Sequence, residues 1–196
     1  MSEIIIQEKT KEVSYETIHD VLYRAHEQNR KNGSVMNTSM LSGEKLEQRI
    51  GSQGKCWIAM DGERVVGTTA IKFIDRNTWY AKGKTPVYML VAVLPEYQGR
   101  HISSELAQAA FSFATQSGYS VIELDTAEDN FHAIRIYEHM GFRLVSYRAP
   151  KADHYSVIMV KWFENCPYSK LYCNLRYHWT RFKVRLRYKV GGEKRF

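Results

Sequence analysis

The spacing of apolar residues changes along the chain and outlines the predicted elements. Residues 14–29 and 42–50 carry apolar side chains three and four positions apart, which is typical of amphipathic helices. The first predicted helix stops near Gly33, and Gly51 closes the second. The N-terminal quarter of the chain is therefore predicted to be helical.

After residue 51, the pattern of apolar residues changes to one that is typical of β-strands. Residues 55–60 and 64–74 are rich in strand-forming side chains and flank Asp61-Gly62, which is a strong hairpin-turn signal. Residues 75–85 are mostly polar, so they are predicted to form a loop before the next strand.

A strand–turn–helix unit follows this predicted loop. Residues 87–94 are almost continuously apolar, as expected of a strand covered on both faces, and Pro95 ends them. Residues 103–116 then return to helical spacing and stop at Gly118. This unit places a short loop directly at a helix N-terminus.

The remaining pattern predicts a strand at 121–126, a helix at 133–140, and two paired strands at 142–147 and 154–162. The predicted order is α-α-β-β-β-α-β-α-β-β. It indicates an α/β fold with a central mixed, mostly antiparallel sheet and helices on both faces.

Length and composition limit the class of protein. A chain of 196 residues with 44% apolar residues buries enough surface to fold without disulfides or a structural metal. The N-terminus shows no signal-peptide pattern, and the three cysteines are widely spaced, so a cytoplasmic protein is expected. Cys166, Cys173 and His178 match no zinc-ligand spacing, and no metal site is expected.

The positive charge is concentrated at the C-terminus. The formal net charge is +7, but residues 161–196 hold ten basic and two acidic residues, and residues 1–160 hold 18 basic and 19 acidic ones. A uniformly basic DNA-binding domain is therefore disfavoured. We expect a domain at residues 1–163 and a basic, aromatic extension at residues 164–196 that packs on the domain or on a partner.

The extension itself has two patterns. A helix is predicted from about Tyr168, because four apolar residues lie at helical spacing: Leu171, Leu175, Trp179 and Phe182. Residues 182–190 alternate apolar and basic side chains strictly, which predicts a strand. Its apolar face would dock on the domain or on a partner subunit, and its cationic face is either simply solvated or binds nucleic acid, acidic lipid or an anionic acceptor.

The loop at residues 95–104 is the segment most indicative of chemistry. Unpaired backbone N–H groups at a helix N-terminus bind phosphate or pyrophosphate, and Gly99 with small serines would allow a close approach. The sequence is neither a Walker loop nor a GxGxxG fingerprint, so nucleotide hydrolysis and dinucleotide redox chemistry are disfavoured. An ordinary strand-to-helix turn is the alternative.

Two runs resemble the signatures of the GNAT superfamily of N-acetyltransferases. LVAVLPEYQGRHISSEL is similar to the acyl-CoA-binding motif, whose core reads Gln/Arg-x-x-Gly-x-Gly/Ala, although His101 stands where glycine is usual. Residues 130–142 are similar to the second signature, Asn-x-x-Ala-x-x-x-Tyr-x-x-x-Gly-Phe. The resemblance covers roughly residues 12–163 and implies the GNAT fold with acetyl-CoA (coenzyme A) as the cofactor.

The resemblance also implies roles for individual residues. The strand Val91, Ala92 and Val93 would pair with the pantetheine arm, and Asn130 would contact the cofactor. The pyrophosphate would be held by the loop residues Gln98, Gly99, Arg100, His101, Ile102, Ser103 and Ser104. Sheet pairing for the strand and helix capping for Asn130 are the structural alternatives.

Tyr137 is the predicted catalytic residue. Acyl transfer from a thioester to an amine expels a thiolate, to which a phenol can donate a proton or a hydrogen bond. Core packing is the structural alternative for this side chain. Several carboxylates are candidates for a general base, and water is another: Glu44, Glu47, Glu96, Glu123 and Asp125.

The sequence therefore predicts an acyltransferase that moves an acetyl group from acetyl-CoA to a primary amine by direct transfer. The acceptor is a small molecule or a peptide, and a homodimer is a further expectation. The alternative is a regulatory protein on the same fold, whose basic tail binds nucleic acid or an anionic membrane.

Overall fold

The chain combines strands and helices, and the computed structural model describes residues 3–31, 37–149, 155–164 and 166–190. The strands are β1 (Ile4–Glu8), β2 (Lys55–Asp61), β3 (Arg64–Asn77), β4 (Lys82–Val93), β5 (Val121–Ala127), β6 (Arg143–Arg148) and β7 (Ser156–Trp162). The α-helices are α1 (Tyr15–Ala25), α2 (Glu27–Lys31), α3 (Gly43–Ile50), α4 (Ile102–Gln116), α5 (Phe131–His139) and α6 (Lys170–Val190). Short 3-10 helices lie at Asn37–Met40 and Pro95–Tyr97.

Most predicted elements are present, with ends shifted by a few residues. α1 and α2 together cover the first predicted helix, and the predicted hairpin is formed by β2 and β3 around Gly62, whose φ is +58°. The sequence pattern did not predict β1, which precedes α1. Gly33 and His154, where the first helix was expected to stop and the last strand to start, lie outside the described residues.

The chain divides into two compact units. The first comprises Met1–Asp75 and Pro86–Tyr119, and the second comprises Arg76–Thr85 and Ser120–Phe196. The predicted boundary at residue 163 stays a prediction. No helix among the described residues combines the length and hydropathy needed to cross a membrane.

In the first unit, antiparallel strands pack against helices. The strand order is β1-β2-β3-β4, with β1 and β2 both antiparallel to their next neighbour. Ile58 and Ile71 from the sheet and Leu106 from α4 are completely buried. Gly67 of β3 permits the close contact, because a Cβ there would lie 3.1 Å from the Leu106 side chain. This packing fixes α4, and thus its N-terminus, on the sheet.

The second unit has the strand order β5-β7-β6, with both pairs antiparallel. Its apolar core combines this sheet with the tip of the β3–β4 hairpin. The buried members are Tyr80, Ala81, Val145, Ile158 and Val160.

The carboxylate of Glu123 lies within a buried polar cluster of the second unit. Only 1% of the residue is exposed. Its Oε2 accepts hydrogen bonds from Arg76 Nε at 2.9 Å and from the Tyr80 hydroxyl at 3.1 Å. A buried carboxylate is tolerated when it is paired and hydrogen-bonded. The cluster therefore fixes the hairpin residues Arg76 and Tyr80 to β5.

This cluster explains why the predicted loop at residues 75–85 is wrong. β3 continues to Asn77 and β4 begins at Lys82, so that only residues 78–81 turn. The turn is closed by Thr78, whose N–H donates to the Ala81 carbonyl at 2.9 Å. Arg76 is polar but belongs to a strand, because its guanidinium pairs with Glu123.

The predicted strand at residues 182–190 is also wrong, since α6 continues to Val190. The carboxylate of Glu128 bonds Arg181 at 2.6 Å and Arg185 at 2.9 Å, and Tyr147 also donates to it. Two arginines four residues apart reach one carboxylate when the segment is helical. Although burial acts to raise it, these hydrogen bonds lower the pKa of Glu128. α6 packs on β6, and Cys173 and Tyr177 are buried among its described side chains.

Removing the charge of Glu123 tests whether this carboxylate is structural. We expect Glu123→Gln to lower the free energy of unfolding by about 3 kcal/mol, because the Arg76 guanidinium loses its counter-charge. Denaturant unfolding measures the change. The matched control is Asp125→Asn on the same strand, whose side chain is 43% exposed and should cost less than about 1 kcal/mol. Equal losses in the two variants would contradict the structural role of Glu123.

Candidate functional site

The segment from Gln98 to Ser104 comprises a tight turn after the second 3-10 helix and the first three residues of α4. Gly99 has a φ of +78°, and His101 has φ 61° and ψ 5°, so two residues within three positions are left-handed. Helical backbone resumes at Ile102. The left-handed residues prevent the 3-10 helix from continuing into α4.

The turn leaves a run of backbone donors without acceptors. The N–H of Gln98 bonds the Pro95 carbonyl at 3.2 Å, and the N–H of Ser104 bonds the His101 carbonyl at 2.9 Å. Among the described residues, no acceptor is present for the backbone N–H groups of the positions between them, Gly99, Arg100, His101, Ile102 and Ser103. Successive free N–H groups at the N-terminus of a helix suit an anion such as a diphosphate.

His101 adopts a left-handed backbone conformation in the turn, which costs conformational free energy. Its left-handed backbone is one that glycine adopts freely and that costs other residues roughly 1–2 kcal/mol. The imidazole is exposed and makes no hydrogen bond that caps α4. His101 therefore contributes its backbone N–H to the turn, as glycine would in the usual motif.

Side-chain contacts within the first unit hold the turn in place. The Tyr97 hydroxyl donates to Asp61 at 2.7 Å, and the Gln98 side-chain amide donates to the Val93 carbonyl at 3.2 Å. The Arg100 guanidinium lies 5.2 Å from the centre of the Tyr97 ring. Glu96 lies within 3.1 Å of both Arg24 and Arg64, so this candidate base is already paired.

β4 is distorted just before the strand residues expected to bind the cofactor. Leu90 is buried and has a φ of +56°, which is a strained conformation for a leucine. The Val91 carbonyl accepts from His26, whose pKa is lowered by burial. The carbonyls of Val91 and Val93 thus have protein donors, but each oxygen keeps a second lone pair for a ligand.

Asn130 and Tyr137 lie on α5 in the second unit. Asn130 is the N-cap, and its Oδ1 accepts from the Ala133 N–H at 3.1 Å. Asn130 therefore does cap α5, which was the structural alternative to cofactor contact. The amide nitrogen of Asn130 has no acceptor among the described residues. Capping and cofactor contact are compatible, because they use different atoms of the side chain.

The Tyr137 phenol is half-buried and chemically available. Its ring packs edge-on against Phe142, with 5.9 Å between ring centres. Burial raises the pKa of Tyr137 to about 12, and the nearby Asp125 carboxylate adds to the increase. No hydrogen-bond partner for its hydroxyl occurs within the described residues. The phenol is therefore protonated at neutral pH and free to donate.

The remaining base candidates differ in how fully they are paired. Arg148 lies 3.9 Å from both Glu123 and Asp125, so the two carboxylates share one side of β5 as expected. Glu123 is fully engaged, whereas Asp125 is partly exposed. In the first unit, Glu44 accepts from Gln48 at 3.1 Å. A group of three or more potential metal ligands does not occur in the described part of the chain.

The structure thus places the predicted residues in two sets. In the first unit, the strand Val91–Val93 leads through the 3-10 helix to the turn at residues 98–104. In the second unit, Asn130 opens α5 and Tyr137 lies two turns further on. Sequence reasoning missed His26 and Glu128, because hydrogen bonds to Val91 and to α6 carry no local sequence signal.

Substitutions at His101 test the conformation of the turn. We expect His101→Gly to keep or raise the free energy of unfolding, by up to about 1 kcal/mol, because glycine relieves the left-handed strain. His101→Val should lower it by about 1–2 kcal/mol, since a β-branched residue tolerates this conformation poorly. Denaturant unfolding of both variants provides the measurement, and equal stabilities would argue against a strained His101.

Comparison with known proteins places this geometry in a family. The sequence model of the Acetyltransferase (GNAT) family matches residues 18–142. Human N-acetyltransferase 8B is 33% identical over 91 residues, 46% of this chain and 39% of its own length. N-alpha-acetyltransferase 30 of Schizosaccharomyces pombe is 28% identical over 107 residues, 53% of this chain and 69% of its own length. The chain thus spans less than half of the human relative.

Solved structures confirm the expected fold. An acetyltransferase from Streptococcus agalactiae superposes with a TM-score of 0.64 at 24% identity, over 83% of this chain and all of that one. A GNAT family acetyltransferase from Elizabethkingia anophelis with acetyl-CoA bound gives 0.58 at 15% identity, over 83% of this chain and all of that one. Since the family match extends over more than half of the sequence, the chain belongs to the acetyltransferase (GNAT) family.

Proposed function

We propose that the chain is an acyltransferase that moves an acetyl group from acetyl-CoA directly to a primary amine. The observation that carries the proposal is the run of free N–H groups from Gly99 to Ser103 at the start of α4. Membership of the family and the relatives named N-acetyltransferases support the same reaction class. Bound acetyl-CoA supplies an activated thioester, and the protein supplies the groups that hold it and aid its reaction.

The residues present suit a diphosphate and its arm. The N–H groups at residues 99–103 supply donors, and Arg100 adds a positive charge beside them. The strand Val91–Val93 would pair with the amide-rich arm of the cofactor, and the Asn130 amide nitrogen would donate to it. Because most of these contacts use backbone atoms, His101 in place of glycine is compatible with binding.

Tyr137 acts on the leaving thiolate in this proposal. A thiol has an ordinary pKa near 8.5, whereas that of Tyr137 is about 12. Complete transfer of a proton from the phenol to the thiolate is therefore uphill. We infer that the Tyr137 hydroxyl stabilises the thiolate by a hydrogen bond, and that the amine proton passes to water.

Measurement of cofactor binding tests the proposed site at the turn. Isothermal titration should detect binding of acetyl-CoA to the unaltered chain below about 1 mM. Ser103→Glu should weaken binding at least about tenfold, because a carboxylate at the N-terminus of α4 repels the diphosphate while stabilising the helix. Ser103→Gln is the matched neutral control and should bind within about threefold of the unaltered chain. Failure to bind, or equal losses in the two variants, would overturn the proposed site.

Replacing Tyr137 tests its role in catalysis, and the pH dependence of the effect tests its protonation state. We expect Tyr137→Phe to lower kcat about ten- to a hundredfold with little change in KM, because the lost hydrogen bond acts on the leaving group. The phenol stays protonated well below pH 12, so the loss should be constant from about pH 6 to pH 9. Release of free thiol with a panel of small and peptide amines measures both. An unchanged kcat would remove Tyr137 from the mechanism. Cofactor binding without acetylation of any amine would favour the regulatory alternative.

A further inference from the structure

α6 presents two different faces. Cys173 and Tyr177 are buried where the helix packs on β6, and Arg181 continues this side toward Glu128. The opposite side carries large apolar residues spaced four, four, three and four positions apart, so they form one stripe along the helix. The stripe consists of Leu171, Leu175, Trp179, Phe182 and Leu186.

This outer stripe is exposed along its whole length. The exposed fractions, in chain order, are 69%, 60%, 53%, 57% and 48%. Trp179 and Phe182 stack with 6.1 Å between ring centres, which presents a continuous aromatic surface. An exposed apolar surface of this extent indicates an interaction site. The extension was expected to pack on the domain or on a partner, and it is the face with Cys173 and Tyr177 that packs on β6.

The charge of α6 identifies the chemistry of the missing partner. The helix holds seven basic residues and no acidic residue in its 21 positions. Arg181 and Arg185 are paired with Glu128. Lys183 lies beside the stripe, with its Nζ 4.8 Å from the centre of the Trp179 ring. The partner must therefore accept an apolar stripe and offer negative charge along its margin.

We propose that the outer face of α6 binds the surface of an anionic lipid bilayer. A helix with Leu, Trp and Phe on one side and a lysine beside them lies in the plane of a membrane interface, with its apolar side in the acyl boundary. Basic residues near the surface add attraction to anionic headgroups. The proposal concerns where the protein binds and is independent of acetyl transfer.

Two other occupants suit this face less well. Nucleic acid is bound mainly through phosphate contacts with cationic side chains, and the five apolar side chains of the stripe offer none. A second copy of the chain would bring two helices without acidic residues together, and their like charges repel. A bilayer satisfies both the apolar and the cationic part of the surface.

Vesicle binding by the full chain tests the proposal. Co-sedimentation should show binding to phosphatidylcholine vesicles containing about 30% phosphatidylglycerol and little binding to pure phosphatidylcholine. The double variant Trp179→Glu/Phe182→Glu should bind at least about tenfold more weakly, because both side chains are exposed and reach the acyl boundary. Circular dichroism verifies that its helix content is retained.

The matched control is Asn174→Glu/His178→Glu, two exposed positions beside the stripe. It introduces the same number of carboxylates and should reduce binding by less than about threefold. Absence of vesicle binding, or equal loss in both double variants, would overturn the proposal. Light scattering that shows a dimer broken by the stripe variant would assign the stripe to a second copy. Heparin or oligonucleotide binding that depends on Trp179 and Phe182 would assign it to nucleic acid.

Discussion

Backbone N–H groups need hydrogen-bond acceptors, and in the turn before α4 several of them have none among the described residues. Gly99 and His101 are both left-handed, which separates the 3-10 helix from α4 and leaves the N–H groups from Gly99 to Ser103 without a backbone acceptor. The flanks of the turn are fixed by Tyr97 on Asp61 and by Gln98 on Val93. A set of unpaired donors is thus available to a ligand, and the proposed acetyl-CoA site depends on it.

The paired carboxylates have a different role from the backbone donors. Glu96 in the first unit and Glu123 and Glu128 in the second are each bound by arginines, and each connects segments distant in sequence. Hydrogen bonds, including those from arginines, lower the pKa of Glu96 and of Glu128, so these two carboxylates are weak acceptors for a substrate proton. This arrangement agrees with a reaction in which Tyr137 assists the leaving group and water takes the proton of the amine.

The spacing of apolar residues along the chain predicted the elements that depend on nearby residues. The apolar run of β4 and the helical spacing of α4 set the strand and helix correctly, and Gly99 located the turn. The strand at Arg76 was missed because its partner Glu123 lies 47 positions away in the sequence. The alternation at residues 182–190 predicted a strand, whereas contacts of Arg181 and Arg185 with Glu128 favour a helix. The free N–H groups and the left-handed His101 depend on backbone angles, which sequence alone does not give.

The two faces of α6 connect the C-terminal segment to the rest of the second unit. Its inner face holds Glu128, and Glu128 lies two positions before Asn130, the N-cap of the helix that carries Tyr137. Truncation before α6 would therefore remove the exposed stripe and also the arginines that position the start of α5. The role of the exposed stripe can be distinguished from that of the arginines only by substitutions that change one face of α6 and leave the other intact. A basic segment that the sequence presents as an appendage packs, in the structure, on β6 and pairs through Arg181 and Arg185 with Glu128, close to the start of α5.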